Sequence, residues 1–137
     1  MFKVANFIED HHQDFLTKDG LVSDHDIQRA SQDLGIEFDQ EFKSYLLRFG
    51  KISFHSMELC GLGVPDSSYL NIVVATKKAI SQVSCMPENS VVIEEIGEAN
   101  FVAYQMNHGV VQVSANESKD LDLSLQDYLL MRFREEL

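Results

Sequence analysis

Hydrophobic positions recur along the chain first at helical and then at strand spacing. Val4, Phe7, Ile8, His11 and Phe15 fall near one helical face, which predicts an amphipathic helix over Phe2 to Leu16, ending before the turn-like Lys18-Asp19-Gly20. Ser23 can cap a second helix, with Asp26 three residues on as a capping-box partner, Ile27, Ala30 and Leu34 on its buried face and Gly35 as its stop. Asp39 caps a third, where Phe42, Tyr45, Leu46 and Phe49 form the stripe and Gly50 supplies a left-handed end. The period then changes. SFHSMELCGLG alternates, which predicts one or two short strands with Phe54, Met57, Leu59 and Leu62 inward and the serines, His55 and Glu58 outward.

In NIVVATKKAISQV two signals compete, because Ile72, Val73 and Val74 favour a strand while Asn71 can cap a helix running through Ala75, Ala79, Ile80 and Val83. The helix is the expected outcome. After Pro87, the runs SVVIEEIG, NFVAYQM and VVQVS read as successive antiparallel strands, the last two joined by the turn-prone Asn107-His108-Gly109. Ser124 and Asp127 suggest a capping box opening a closing helix, with Leu125, Tyr128, Leu129, Phe133 and Leu137 on its apolar side. Helices, then strands, then a helix predict an α+β fold, an antiparallel sheet with amphipathic helices packed around it.

The 137 residues suit a single domain spanning 1–137, with no repeat or long linker; the only two prolines, Pro65 and Pro87, fall in segments that read as loops. A composition of 45% hydrophobic and 24% charged residues is that of a globular protein with a core of its own. No apolar run reaches the roughly 18 residues of a membrane helix, and MFKVANFIEDHHQDF does not resemble a secretory signal, so no membrane is expected and the cytoplasm is the expected location. There Cys60 and Cys85 are expected as reduced thiols, and the Asn116-Glu117-Ser118 sequon carries no chemical meaning.

Charge adds a direction. Twenty-two acids against 11 bases give a net −11, a field that repels nucleic acid phosphates and favours basic partners. The same excess of carboxylate also serves solubility alone.

Reactive chemistry has no motif behind it. His11 and His12 are adjacent, about 100° apart on a helix, and His25, His55 and His108 stand in separate elements, so metal-ligand spacing is missing. Gly61-Leu62-Gly63 begins like a dinucleotide loop, but Asp66 occupies the place of the last glycine, where a carboxylate would repel pyrophosphate. No G-x-S-x-G elbow occurs, and acid pairs such as Glu94-Glu95 and Asp120 with Asp122 are explained by solvated charge. No catalytic residue, cofactor or metal is expected.

IQRASQDLGIEFDQEFKSYLLRFG followed by FHSMELCGLG resembles the leading signature of the SUKH superfamily, the Smi/Knr-like proteins. Asn71 onward is similar to that family's middle helix, MPENSVVIEEIGEANFVAYQM to its strand pair and SLQDYLLMRF to its closing helix, so the likeness runs from about Ser23 to Phe133. The chain departs from the pattern at Ser31, where the family commonly has an acid, and at Phe38-Asp39, where it commonly has Leu-Pro, although an aspartate can still cap the helix.

The resemblance implies a SUKH-like fold and a non-enzymatic bacterial immunity protein. Such a protein binds and neutralises a cognate polymorphic toxin, often a nuclease, in contact-dependent competition. Electrostatic complementarity would make that toxin domain basic. The alternative is an intracellular regulatory or scaffold module of the same fold. Candidate contacts are acids expected to be exposed near strand ends and loops, namely Glu58, Asp66, Glu94, Glu95, Glu98, Asp120 and Asp122, with Tyr69 and Tyr104 as aromatic candidates. For each acid the competing reading is a solvated side chain, and for each tyrosine it is core packing.

Overall fold

The computed structural model of the chain describes residues 1–17 and 21–137; the turn expected at Lys18-Asp19-Gly20 lies outside the described residues. The first helix, α1 (Phe2–Asp10), is shorter than expected. His11 leaves helical geometry, His12–Asp14 make one 3-10 turn, and Phe15–Leu16 form a strand, β1. Aromatic packing explains the change. As a strand residue Phe15 pairs with Phe54, stacks on its ring at 4.2 Å between centroids and meets Phe133 edge-on at 4.9 Å, while Phe7 stacks on Phe133 at 5.5 Å.

The next two helices follow the sequence signals closely. In α2 (Asp24–Leu34) Ser23 and Asp26 complete both halves of the capping box, and Gly35 closes the helix in the left-handed region at φ 66°. Asp39 caps α3 (Gln40–Phe49), which buries Phe42, Tyr45, Leu46 and Phe49 as the 3, 4 and 7 spacing predicts. A hairpin follows, with β2 (Ile52–Phe54) paired to β3 (Met57–Leu59).

The ambiguous middle segment is the helix α4 (Ile72–Gln82), capped by the Asn71 side chain on the Val73 and Val74 amides. Val83 is buried just past its end, but Ile80, expected on the inner face, is 57% exposed.

Four strands then form a meander, β4 (Ser90–Gly97), β5 (Asn100–Gln105), β6 (Gly109–Ser114) and β7 (Glu117–Asp120). The fourth strand was not expected, because Glu117, Ser118, Lys119 and Asp120 are all exposed and leave no apolar alternation to read. The chain closes with α5 (Leu125–Glu136), where Ser124 accepts the Asp127 amide at 3.1 Å; Leu137 lies beyond the helix and is exposed.

The fold is α+β, with the strands divided between two antiparallel sheets, ordered β1-β2-β3 and β4-β5-β6-β7. Where the sheets abut, the Cys60 N–H donates to the Ile93 carbonyl at 2.8 Å. The Gly61-Leu62-Gly63 run serves this junction. A Cβ on Gly61 would stand 1.7 Å from the Gly50 carbonyl oxygen, and the Leu62 N–H donates to that oxygen at 3.0 Å, so the glycine allows two backbone segments to cross.

Candidate functional site

Because β3 and β4 each end their sheet, the line between them decides what the two sheets leave open. The edge of β4 is closed in two steps: the buried Thr76 hydroxyl on α4 accepts the Val92 N–H at 3.0 Å, and Cys60 covers Ile93. Beyond Ile93 the strands part. Here β4 shifts register between Val92 and Glu94 and again between Glu95 and Gly97, bulge-type irregularities of the kind that bend and twist a strand. The wedge between them is a groove of about 370 Å³, walled by Met57, Glu58 and Cys60 on one side and Glu94, Glu95 and Ile96 on the other. Tyr69 and Leu70 close one end, and Arg132 and Glu136 reach in from α5.

The structure gathers Glu58, Tyr69, Glu94 and Glu95 around this groove, but in different roles. Glu94 is not the exposed acid expected from the sequence, for it is only 4% exposed. The first bulge places it toward α5, where it accepts from the Tyr128 hydroxyl at 2.8 Å and from Arg132 Nε and Nη2 at 3.0 and 2.6 Å. Burial and the Glu94 carboxylate raise the Tyr128 phenol well above its ordinary range, and hydrogen bonds to Glu94 hold the Arg132 guanidinium charged. Arg132 also donates through Nη1 to Glu135 and Glu136, at 3.2 and 3.3 Å.

Glu58 is exposed on β3, and both its oxygens accept from the Tyr69 hydroxyl, at 2.8 and 2.9 Å. That bond raises the Tyr69 phenol above its usual value and fixes a ring that is 61% exposed. Glu95 pairs with Lys78 of α4 at 2.8 Å, and Ile96 beside it is 43% exposed. Cys60, at the inner end of the groove, has its thiol pushed up to about 12 by burial and then by Glu95, Glu94 and Glu58.

The remaining candidates lie elsewhere. Asp66 pairs with Arg29 at 2.7 Å across a second concavity of about 340 Å³, between α2 and the loop before α4. Glu98 is exposed on the β4–β5 turn. Asp120, at the end of β7, binds His108 Nε2 at 2.6 Å and the Asp122 amide at 2.8 Å; the amide first and the histidine second hold its carboxyl below the usual range. Asp122 itself sits at φ 57°.

Tyr104 takes the core-packing alternative and is not the exposed aromatic a contact would need. It is buried against Phe42, with ring centroids 5.8 Å apart, and its hydroxyl donates to Asp39 at 2.5 Å. Asp39 also accepts from the amides of Phe42 and Asn107, so one carboxylate caps α3 and ties it to the β5–β6 turn.

Sequence reasoning missed Arg132, Glu136 and Ile96. An arginine followed by acids at i+3 and i+4 on a helix was the available signal for the first two, whereas nothing local marks Ile96 as exposed.

Residues 1–133 match the SUKH_5 family model, described as SMI1-KNR4 cell-wall. The chain belongs to this SUKH family. The match takes in α1 and β1, which precede the Ser23–Phe133 stretch that carries the motif resemblance. No curated protein matches the chain. Among the described residues no helix is long and apolar enough to cross a membrane, and no group of three or more histidines, cysteines or carboxylates is placed to hold a metal ion. For a SUKH member, the feature left to interpret is the groove.

Proposed function

We propose that this SUKH protein is a non-enzymatic binding module of the immunity type, which neutralises a basic toxin domain, a nuclease in the first instance, by direct protein contact. The carrying observation is the groove at the parting of the sheets. It sets an exposed aromatic ring and an exposed isoleucine among four carboxylates and one guanidinium, on a chain of net charge −11. Concave shape, an amphipathic aromatic and a charged rim are the parts from which a protein interface is built. The surrounding field raises the encounter rate with a cationic partner.

The test is co-expression with a toxic domain encoded beside the gene, scored for growth rescue and for a co-purifying complex. Glu58→Lys with Glu95→Lys should abolish rescue while the circular dichroism melt stays near wild type, and the association rate should fall several-fold from 50 to 300 mM salt. Full rescue by the doubly reversed variant would refute this binding face.

The words SMI1-KNR4 cell-wall in the family's description favour a second reading, a regulatory or scaffold module of the same fold. It predicts a complex with a host-cell protein and no protection against any toxin domain.

A further inference from the structure

The groove has a chemistry narrow enough to name what enters it. Bulges at an edge strand discourage the addition of another strand, and β4 carries two of them along the open part of its edge, so docking here proceeds through side chains. The charges in the groove are unevenly matched. Glu94 is bound by Arg132, Glu136 shares that arginine, and Glu95 is paired with Lys78, whereas Glu58 meets only the neutral phenol of Tyr69 among the described residues. Four carboxylates therefore face two cations.

Tyr69 supplies the other half of the chemistry. Its hydroxyl is tied to both oxygens of Glu58, which holds an exposed ring in place and leaves each of those oxygens a further acceptor site. A planar cation can lie with its face on that ring and its edge on the carboxylate. A guanidinium meets both requirements, whereas an ammonium is compact and more strongly hydrated.

Taking this face as the partner-binding surface, the geometry points to an arginine side chain of the partner protein as the group that enters the groove. Its guanidinium packs on Tyr69 and is held by Glu58, and its methylene stem runs along Ile96.

The test is an amide NMR titration of the full chain with N-acetyl-arginine amide, N-acetyl-lysine amide and the neutral N-acetyl-citrulline amide. The arginine compound should give saturable shifts centred on Glu58, Tyr69 and Ile96, at least about five-fold tighter than the lysine compound, with no saturation by citrulline. Glu58→Gln and Tyr69→Leu should each weaken it about five-fold or more, while Glu117→Gln on β7 leaves it unchanged. Equal affinity for arginine and lysine, or shifts spread over Glu117, Asp120 and Glu135, would overturn the assignment. Should those shifts fail while Glu58→Lys with Glu95→Lys still abolishes rescue, the arginine falls and the binding face stands. Should they appear while that variant rescues fully, the face itself falls and the arginine's role with it.

Discussion

Arg132 offers the sharpest test of how the groove is held together. Its side chain is 18% exposed and Glu94, its main partner, 6%, so Arg132→Met would leave a carboxylate buried with a single phenol donor from Tyr128. Removing one member of such a pair costs about 3–5 kcal/mol, and the partial exposure of the arginine places the expectation near 3. Glu94→Gln is a different perturbation. A glutamine still accepts from Tyr128, and the stranded guanidinium keeps Glu135 and Glu136 on its own helix, so the loss should be about 1–2 kcal/mol. The two single variants therefore rank in a fixed order, although each breaks the same ion pair.

Urea melts read this directly, as shifts in midpoint at constant m-value. Arg132→Met should also lower Tm by about 10 °C, given roughly 3–5 °C per kcal/mol for a domain of this size. The double variant should be more stable than the sum of the single effects predicts, by about 2 kcal/mol, because glutamine relieves the uncompensated charge. If Glu94→Gln proved as costly as Arg132→Met, or if the two effects simply added, the account of Glu94 as a buried carboxylate neutralised by Arg132 would be wrong.

Gly61→Ala should destabilise by about 3 kcal/mol or more, since its Cβ would collide with the Gly50 carbonyl; Gly35→Ala, at φ 66° with nothing within 4 Å of the new atom, should cost only about 1, and paired urea melts compare them. In native protein at pH 8, iodoacetamide should modify Cys85 and leave Cys60 intact, because a thiol held at about 12 is thiolate in only about one molecule in 10,000; intact mass showing Cys60 labelled before urea is added would contradict its burial. Asp120 has a carboxyl held below its ordinary range in the folded state, so its stabilising contribution is present above about pH 4 and is lost as pH falls through the lowered folded value. The stability gap between wild type and Asp120→Asn should accordingly shrink as pH falls below about 4 in acid-titrated melts, and a gap that widened would reverse the sign of this reasoning.

Elements whose signals are local were legible from the residues alone. Ser23 with Asp26, Asp39, and Asn71 each announce a helix start through a bond their side chains make within three residues, and the structure contains each bond. Elements that depend on distant partners were not legible. Phe15 sits at helical spacing from Ile8 and His11, yet stacking on Phe54, 39 positions away in sequence, draws it into a strand. β7 has no apolar residue at all and exists because β6 offers a free edge, to which it pairs from Val111↔Asp120 to Ser114↔Glu117.

The same division runs through the candidate site, and it bears on which residues deserve mutation. Acidity made Glu58, Glu94 and Glu95 look equivalent, since sequence alone assigns each a charge and no neighbour. One register shift between Val92 and Glu94 separates them: it turns Glu94 inward to Tyr128 and Arg132, while Glu95 stays at the rim with Lys78. Glu94 therefore shapes the groove, whereas Glu58 stands exposed on its wall. If the proposed face binds a partner, variants at Glu94 should act on it through lost stability, whereas variants at Glu58 and Tyr69 should weaken binding with the melt unchanged. Only the second behaviour would identify a contact, because a side chain that meets a partner without supporting the fold can be changed with the fold intact.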